Sequence, residues 1–153
     1  MPDDIRLDAW RTLLTAHAAV IEVLAAEMEE QAGIPLGWYE VLLYLHESGD
    51  GRLRMHELAD SLLLSRSAAT RFVDRMQSKG LVEREADPDD GRGTLVSMTP
   101  AGREVFARAA PLHLAGIRRL FTDHLTDDEA RVMLEALRRV IGGVGGGSGR
   151  DRR

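Results

Sequence analysis

The feature that most constrains this fold is the segment 65–79, which carries its own signals for starting and ending a helix. Ser65 is a favourable N-cap because its hydroxyl accepts a backbone N–H of the first turn, and Gly80 suits the left-handed conformation that ends a helix. Between them the apolar positions recur at helical spacing: Ala68, Phe72, Val73 and Met76. The segment is therefore predicted to form a helix of about four turns.

The opposite face of this helix begins with small hydroxyls and continues with two arginines one turn apart. Ser67 and Thr70 allow a close approach to another surface, and the positive end of the helix dipole favours a phosphate there. Arg71 and Arg75 have the length and donor geometry to reach phosphates or guanine edges, with Asp74 between them. This face is either an ordinary solvated surface or a DNA contact.

The segments on either side place this helix in a larger motif. Upstream, residues 55–62 predict a short helix, and two short helices joined by a tight turn form a helix-turn-helix. Downstream, the alternating runs 81–85 and 94–98 flank a turn rich in Pro, Gly and Asp, which predicts a β-hairpin. A helix-turn-helix followed at once by a hairpin is a winged helix.

These residues, from Leu58 to Gly102, resemble the core of the MarR-type transcriptional regulators. The family has a recognition helix ending in a Gly-Leu-Val-like step, a wing of the type Asp-Pro-x-Asp-Arg-Arg, and a strand ending in Leu-Thr-x-x-Gly. The wing pattern matches at Asp87, Pro88, Asp90 and Arg92. Gly91 stands where the family usually has the first of two arginines, and Met98 where it often has leucine.

The resemblance implies a mainly α fold with a small β-hairpin wing. The winged helix-turn-helix would span about 38–98 and dimerisation helices about 3–30 and 99–141, all in a single domain, 1–141. In the first helix a heptad seam is visible: Leu7, Trp10, Leu14, His17, Ile21, Leu24 and Met28. Such a seam packs against another chain or against this one, and the resemblance favours a homodimer.

Local signals divide the C-terminal part into two helices and a tail. Thr99-Pro100 is a favourable helix start, and Pro111 is predicted to kink or split the helix that follows. A capping box at 126–129 predicts the last helix. The glycine-rich run 142–153 is predicted to be a flexible tail.

The distribution of charge favours nucleic acid although the net charge of the chain is −5. Residues 51–79 carry six basic and three acidic side chains, a net of +3, whereas residues 1–50 carry two basic and ten acidic, a net of −8. The basic excess therefore coincides with the predicted reading unit, although a chance scatter of charges would look the same.

Composition and the N-terminal residues predict a cytoplasmic location. The chain has no cysteine, so it has neither disulfides nor a thiol switch. Asp3, Asp4 and Asp8 do not fit a signal peptide, and no continuous apolar run approaches about eighteen residues, so no membrane span is expected.

Winged-helix docking puts the N-terminal part of the recognition helix in a major groove. Arg66 either reaches a phosphate or is solvated, and Asp90 either positions Arg92, by resemblance a minor-groove contact, or is a plain turn acid. The predicted DNA-binding residues are Ser65, Arg66, Ser67, Thr70, Arg71, Arg75, Asp90 and Arg92.

The resemblance also implies a pocket for a small aromatic or phenolic anion between the dimer helices and the winged helix. Its candidate residues are Trp10, Arg11, His17, Trp38, Tyr39 and His46. For each of them a role as a core or interface residue is the more common explanation.

The sequence offers little to support metal binding or catalysis. The five histidines lack metal-ligand spacing, and no nucleophile–base pair or phosphate loop is apparent, so neither a metal, a cofactor nor an enzymatic activity is expected. The leading prediction is a homodimeric repressor or regulator on a pseudo-palindromic operator, with release by a small ligand as a further hypothesis. The alternative is a winged-helix protein-interaction module that does not bind DNA.

Overall fold

The computed structural model describes residues 4–145, which form six α-helices and one three-stranded antiparallel sheet. The helices are α1 (Ile5–Ala32), α2 (Leu36–Glu47), α3 (Met55–Ser61), α4 (Arg66–Ser78), α5 (Pro100–Leu120) and α6 (Asp127–Gly145). The strands are β1 (Arg52–Arg54), β2 (Val82–Asp87) and β3 (Asp90–Met98), and a 3₁₀ turn (Thr122–His124) separates α5 from α6. The predicted mainly α fold with a small wing is confirmed.

The sheet is built around β3, in the order β1-β3-β2. Leu53 of β1 pairs with Val96, and Val82 of β2 pairs with Met98. The β2–β3 hairpin closes at the pair Asp87–Asp90, with an irregularity in register just before it. The predicted turn residue Asp90 therefore lies at the start of β3, and Arg92 lies inside that strand rather than in the turn.

The buried core of the winged helix comes from α2, α3, α4 and the sheet. Its largest fully buried side chains are Val41, Leu42, Leu45, Leu58, Val73, Met76, Val82 and Val96. Helix α3 begins at Met55, as the sequence predicted, and the Glu57 carboxylate accepts the Arg54 backbone N–H at 2.9 Å. This core fixes α4 by its inner face and leaves its outer face to solvent.

Helix α1 is N-capped by Asp4, whose carboxylate accepts the Arg6 backbone N–H at 2.9 Å. Of its predicted seam only Leu24 and Met28 are buried, whereas Trp10 is 56% exposed. By length and composition alone α1 is apolar enough to cross a membrane, contrary to the expectation from sequence, although a core helix of a soluble protein passes the same test.

Helix α5 begins as predicted, with Thr99 as its N-cap. The Thr99 Oγ1 accepts the Gly102 N–H at 3.0 Å and donates to the Gly80 carbonyl oxygen at 2.5 Å. The helix runs unbroken past Pro111, so of the two outcomes predicted there, a kink or a split, the split does not occur. A proline removes one backbone hydrogen bond, and the turns on both sides keep theirs.

The chain divides at Gly116 into two compact units, and the second contains the end of α5, the 3₁₀ turn and α6. The predicted capping box is present, since the Glu129 carboxylate accepts the Thr126 backbone N–H at 2.8 Å. Helix α6 continues to Gly145, so residues 142–145 of the predicted tail are helical. Each added residue gains a backbone hydrogen bond, which offsets the low helix propensity of glycine. The rest of that tail, 146–153, lies outside the described residues.

Candidate nucleic-acid interface

The start of α4 is held by a side-chain cap, as the sequence predicted. The Ser65 Oγ accepts the Ala68 backbone N–H at 3.2 Å and lies 3.3 Å from the Ser67 Oγ. A cap of this kind stabilises a helix by about 1 kcal/mol. At the other end Gly80 takes a φ of +73°, and its N–H donates to the Gln77 carbonyl oxygen at 2.9 Å. Both ends of α4 are therefore defined locally.

The inner face of α4 is formed by Ala69, Val73 and Met76, all fully buried. The predicted stripe is thus shifted by one residue at its start, because Ala68 is only partly covered. The predicted contact residues on the outer face are exposed, apart from a half-buried Thr70: Ser65, Arg66, Ser67, Arg71 and Arg75. The structure brings these residues together on one surface.

Two of these side chains are partly engaged within α4 itself. The Thr70 hydroxyl donates to the Arg66 carbonyl oxygen at 2.8 Å, so it presents its methyl group and an acceptor rather than a free donor. The Arg75 Nε donates to the Arg71 carbonyl oxygen at 3.4 Å, and its guanidinium carbon lies 5.9 Å from the centroid of the Phe72 ring. These contacts hold Arg75 along the helix and leave it exposed.

The acid on this face, Asp74, is paired with an arginine from the wing, a contact that the sequence analysis missed. Arg84 of β2 forms an ion pair with Asp74, and its Nε donates to the Gln77 Oε1 at 2.8 Å. A carboxylate that would otherwise repel a phosphate is thereby partly neutralised. The same arginine joins the wing strand to α4.

The predicted wing residues Asp90 and Arg92 are exposed and in contact. The Asp90 Oδ1 accepts the backbone N–H of Arg92 at 3.1 Å, so the carboxylate orders the strand start rather than the guanidinium. Gly91 and Gly93 flank Arg92 on both sides. The wing therefore presents Arg92 from a glycine-flanked strand.

A second ion pair, also missed, holds the base of the wing. The Arg54 Nε lies 2.6 Å from the Asp87 Oδ2, and Asp87 is only 3% exposed. The hydrogen bond from Arg54, followed by one from the Asp89 backbone, holds the pKa of Asp87 below its usual value. Arg52 pairs with Glu85 at 2.8 Å beside it. These pairs tie β1 to the wing hairpin. Arg52, Arg54 and Asp87 also line a surface cleft of about 520 Å³.

The predicted ligand residues fall into two groups. Tyr39 is 3% exposed and stacks on Phe106 with centroids 5.8 Å apart, while its centroid lies 4.5 Å from that of His113. His46 packs on the same Phe106 at 4.6 Å. Burial raises the pKa of Tyr39 and lowers that of His113, which favours both neutral forms. Sequence reasoning missed Phe106 and His113, since their spacing reads as ordinary core.

The remaining ligand candidates take no part in the ring contacts of this aromatic cluster. Arg11 pairs with Asp8 at 3.3 Å, Trp10 and His17 are exposed on α1, and Trp38 is half-buried. His17 opposes the rise that burial causes in the pKa of Glu40. Within residues 4–145 no three His, Asp or Glu side chains are grouped so as to hold a metal ion.

Comparison with known proteins gives consistent results. The model of the MarR family matches residues 32–93. The HTH-type transcriptional regulator MhqR of Bacillus subtilis is 31% identical over 102 residues, which cover 67% of this chain and 68% of MhqR.

Two solved structures from Streptomyces coelicolor are similar over most of the chain. AbsC, a MarR family transcriptional regulator, has a TM-score of 0.89 and 31% identity, and the match covers 95% of this chain and 98% of AbsC. Sco3205, a MarR family transcriptional regulator solved in complex with DNA, has a TM-score of 0.83 and 35% identity, with coverage of 88% of this chain and 84% of Sco3205.

Proposed function

This chain belongs to the MarR family of transcriptional regulators, and from that premise we propose that it is a homodimeric repressor whose α4 reads an operator. The observation that carries the proposal is the outer face of α4: exposed, started by hydroxyls, and net basic once Asp74 is paired with Arg84. The similar Sco3205 was solved in complex with DNA, which supports a DNA partner for this chain.

The chemistry of α4 suits entry into a major groove by its N-terminal end. Ser65 and Ser67 are small enough to let the backbone approach base edges, and the helix dipole favours a phosphate near the same turn. Arg71 and Arg75 then lie one turn apart along the flank, where the phosphate backbone passes. Arg66 contacts a phosphate beside the cap.

The wing supplies the second contact in this proposal. Arg92 enters the adjacent minor groove, and Asp90 orders the strand from which it projects, through the bond to the Arg92 backbone N–H. Because Gly91 replaces one of the two arginines usual in the family, the wing of this chain contributes one cation rather than two.

Two copies are needed to read a pseudo-palindrome. Helix α1 exposes the apolar residues Leu7, Trp10 and Leu14, which suit packing against a second copy. Helix α6, by itself, also exposes apolar residues: Val132, Leu134, Val140 and Ile141. The half-sites then lie about one helical turn apart, roughly 10 base pairs. A cytoplasmic location follows from this role, which requires no catalysis.

A small phenolic or aromatic anion is proposed as the effector. The cluster of Tyr39 and His46 on Phe106, near His113, offers ring faces for stacking and polar edges for a phenol or carboxylate. Around it we place the remaining candidates: Trp10, Arg11, His17 and Trp38. A ligand that favours one spacing of the two reading helices would release DNA by shifting the dimer between states.

The experiment is a comparison of single arginine variants on an operator selected from a random DNA pool. Arg71→Ala and Arg75→Ala are each expected to lower affinity about tenfold and to reduce the slope of log affinity against log salt by about 1, since each removes a cationic DNA contact. Arg131→Ala, an exposed helical arginine paired with Asp128, is the matched control and should bind like the wild type.

The outcomes separate the proposal from its alternative. Normal binding by both variants would show that α4 is not the reading surface. A wild-type chain that selects no DNA from the pool would instead favour the winged-helix interaction module that binds protein alone.

A further inference from the structure

Leu63 has a backbone conformation and an exposure that the fold does not explain. It lies in the turn between α3 and α4 with a φ of +55°, and it is the only non-glycine residue with a positive φ among residues 4–145. Its side chain is also 91% exposed, more than any other large apolar side chain in the described part of the chain.

A left-handed leucine is unfavourable because its Cβ crowds the following carbonyl group, which is why glycine and asparagine usually occupy such positions. The turn itself does not need a leucine. The Leu63 N–H donates to the Asp60 carbonyl oxygen at 3.2 Å, and the Leu64 N–H donates to the Ala59 carbonyl oxygen at 3.0 Å. These are backbone bonds that Asn or Gly would make equally well.

The side chain gains nothing from burial within the chain either, since it is almost wholly in water. An unfavourable conformation that persists without a structural reason is a sign of function. Its place in the fold indicates which function, because Leu63 comes two residues before the Ser65 cap, at the end of α4 proposed to meet DNA.

We propose that Leu63 is a DNA-contacting residue that packs against apolar groups of the operator when α4 docks. The groups of this kind that DNA offers beside a major-groove helix are the C5-methyl of thymine and the carbons of deoxyribose. Contact with either removes the leucine side chain from water, so the complex gains a hydrophobic stabilisation that the free chain lacks. This inference rests on the proposed function.

The test uses three substitutions of Leu63 in the full chain. Leu63→Asn and Leu63→Gly remove the apolar group and suit the left-handed conformation, so they keep the fold, and the asparagine variant should melt a few degrees higher. Leu63→Met keeps both the apolar group and the strain. Fluorescence anisotropy on the selected operator should show a roughly tenfold loss of affinity for Leu63→Asn and Leu63→Gly, and little change for Leu63→Met.

Replacing single thymines of the operator by deoxyuridine distinguishes the two apolar sources. If Leu63 meets a methyl group, deoxyuridine at one position in each half-site should weaken wild-type binding about fourfold and leave the binding of Leu63→Asn unchanged. If Leu63 meets deoxyribose, Leu63→Asn weakens binding although no deoxyuridine position does.

Two results would overturn the inference. The first is a Leu63→Asn variant that binds the operator as tightly as the wild type, and the second is a Leu63→Met variant that loses as much affinity as Leu63→Asn. The Arg71→Ala variant in the same series keeps the two proposals distinguishable. A loss for Arg71→Ala without one for Leu63→Asn removes only the role of Leu63, whereas a wild type that binds no DNA overturns both.

Discussion

Gly102 lies in the first turn of α5, close to the residues that connect α4 to β2. A Cβ at this position would be 2.1 Å from the Leu81 carbonyl oxygen and 2.8 Å from the Met98 Cγ. The Gly102 N–H is in turn bonded to the Thr99 Oγ1, which prevents the turn from moving outwards freely. The contact with Leu81 is to backbone, so it cannot be relieved by a rotamer change.

At this residue we predict that Gly102→Ala destabilises the protein, although alanine is the better helix former. Overpacking against backbone should lower the free energy of unfolding by about 2 kcal/mol, measured by urea denaturation. Gly142→Ala is the matched control, because that helical position has nothing within 4 Å. The control should be as stable as the wild type or more stable by up to about 1 kcal/mol. Equal stability of the Gly102 variant and the wild type would refute the packing argument.

Among the elements, those with signals in adjacent residues were predicted well. The bounds of α4 followed from Ser65 and Gly80, and the start of α6 from its capping box, because a cap acts within a few residues. The helix is not split at Pro111, because the one backbone hydrogen bond that a proline removes is outweighed by those that the rest of α5 keeps. The end of α6 was misplaced for the same reason, since glycines lower helix stability without forbidding a helix.

The contacts that join elements could not be predicted from local patterns. Arg54 and Asp87 are 33 residues apart in sequence, and Arg84 reaches Asp74 across the α4–β2 turn. The charge counts predicted the basic excess on the reading unit, but they did not predict which acidic side chains would be paired. The outward position of the α4 residues did follow from periodicity, whereas their assignment as DNA contacts remains a prediction.

At the element scale the Arg54–Asp87 pair is predicted to hold the wing to β1 in a pH-dependent way. Arg54 lowers the pKa of Asp87 in the folded state below the ordinary pKa of 3.8. The stability that the ionised Asp87 contributes is therefore present above pH 3.8 and is lost as the pH falls through the folded-state pKa. Asp87→Asn should therefore lower the Tm at pH 7, and the difference from the wild type should shrink at acid pH below 3.8.

The control for this experiment is Asp128→Asn, which breaks the ion pair between Asp128 and Arg131. The Asp128 side chain is 93% exposed. An exposed pair contributes little to stability, so this variant should melt like the wild type at both pH values. A difference between Asp87→Asn and the wild type that is unchanged from pH 7 to acid would contradict the role given to the Asp87 carboxylate.

At the scale of the whole molecule the exposed face of α1 is the proposed dimer surface. Leu7, Trp10 and Leu14 share one side of the helix and are 47%, 56% and 49% exposed. By length and composition α1 could also lie in a membrane. The family of this chain and the charges on α1, among them Arg11 and Glu22, instead favour packing against a second copy of the chain.

We predict that Leu14→Glu converts a dimer into a monomer and lowers operator affinity at least tenfold, because a buried unpaired carboxylate is unfavourable and one half-site binds weakly alone. Sedimentation equilibrium measures the first effect and anisotropy the second. Thr12→Glu places the same charge on the opposite side of α1 and should remain dimeric. A wild-type chain that sediments as a monomer at micromolar concentration would exclude the two-fold arrangement.

The central claim is that two copies of α4 enter adjacent major grooves of one duplex. Dimethyl sulfate protection of guanine N7 on the selected operator tests it most directly, since N7 lies in the major groove. The account predicts two protected groups of guanines, centred about 10 base pairs apart on one face of the DNA, and the same protection at about tenfold higher protein concentration in Arg71→Ala. Full binding with no protected N7, or with a single protected group, would contradict it.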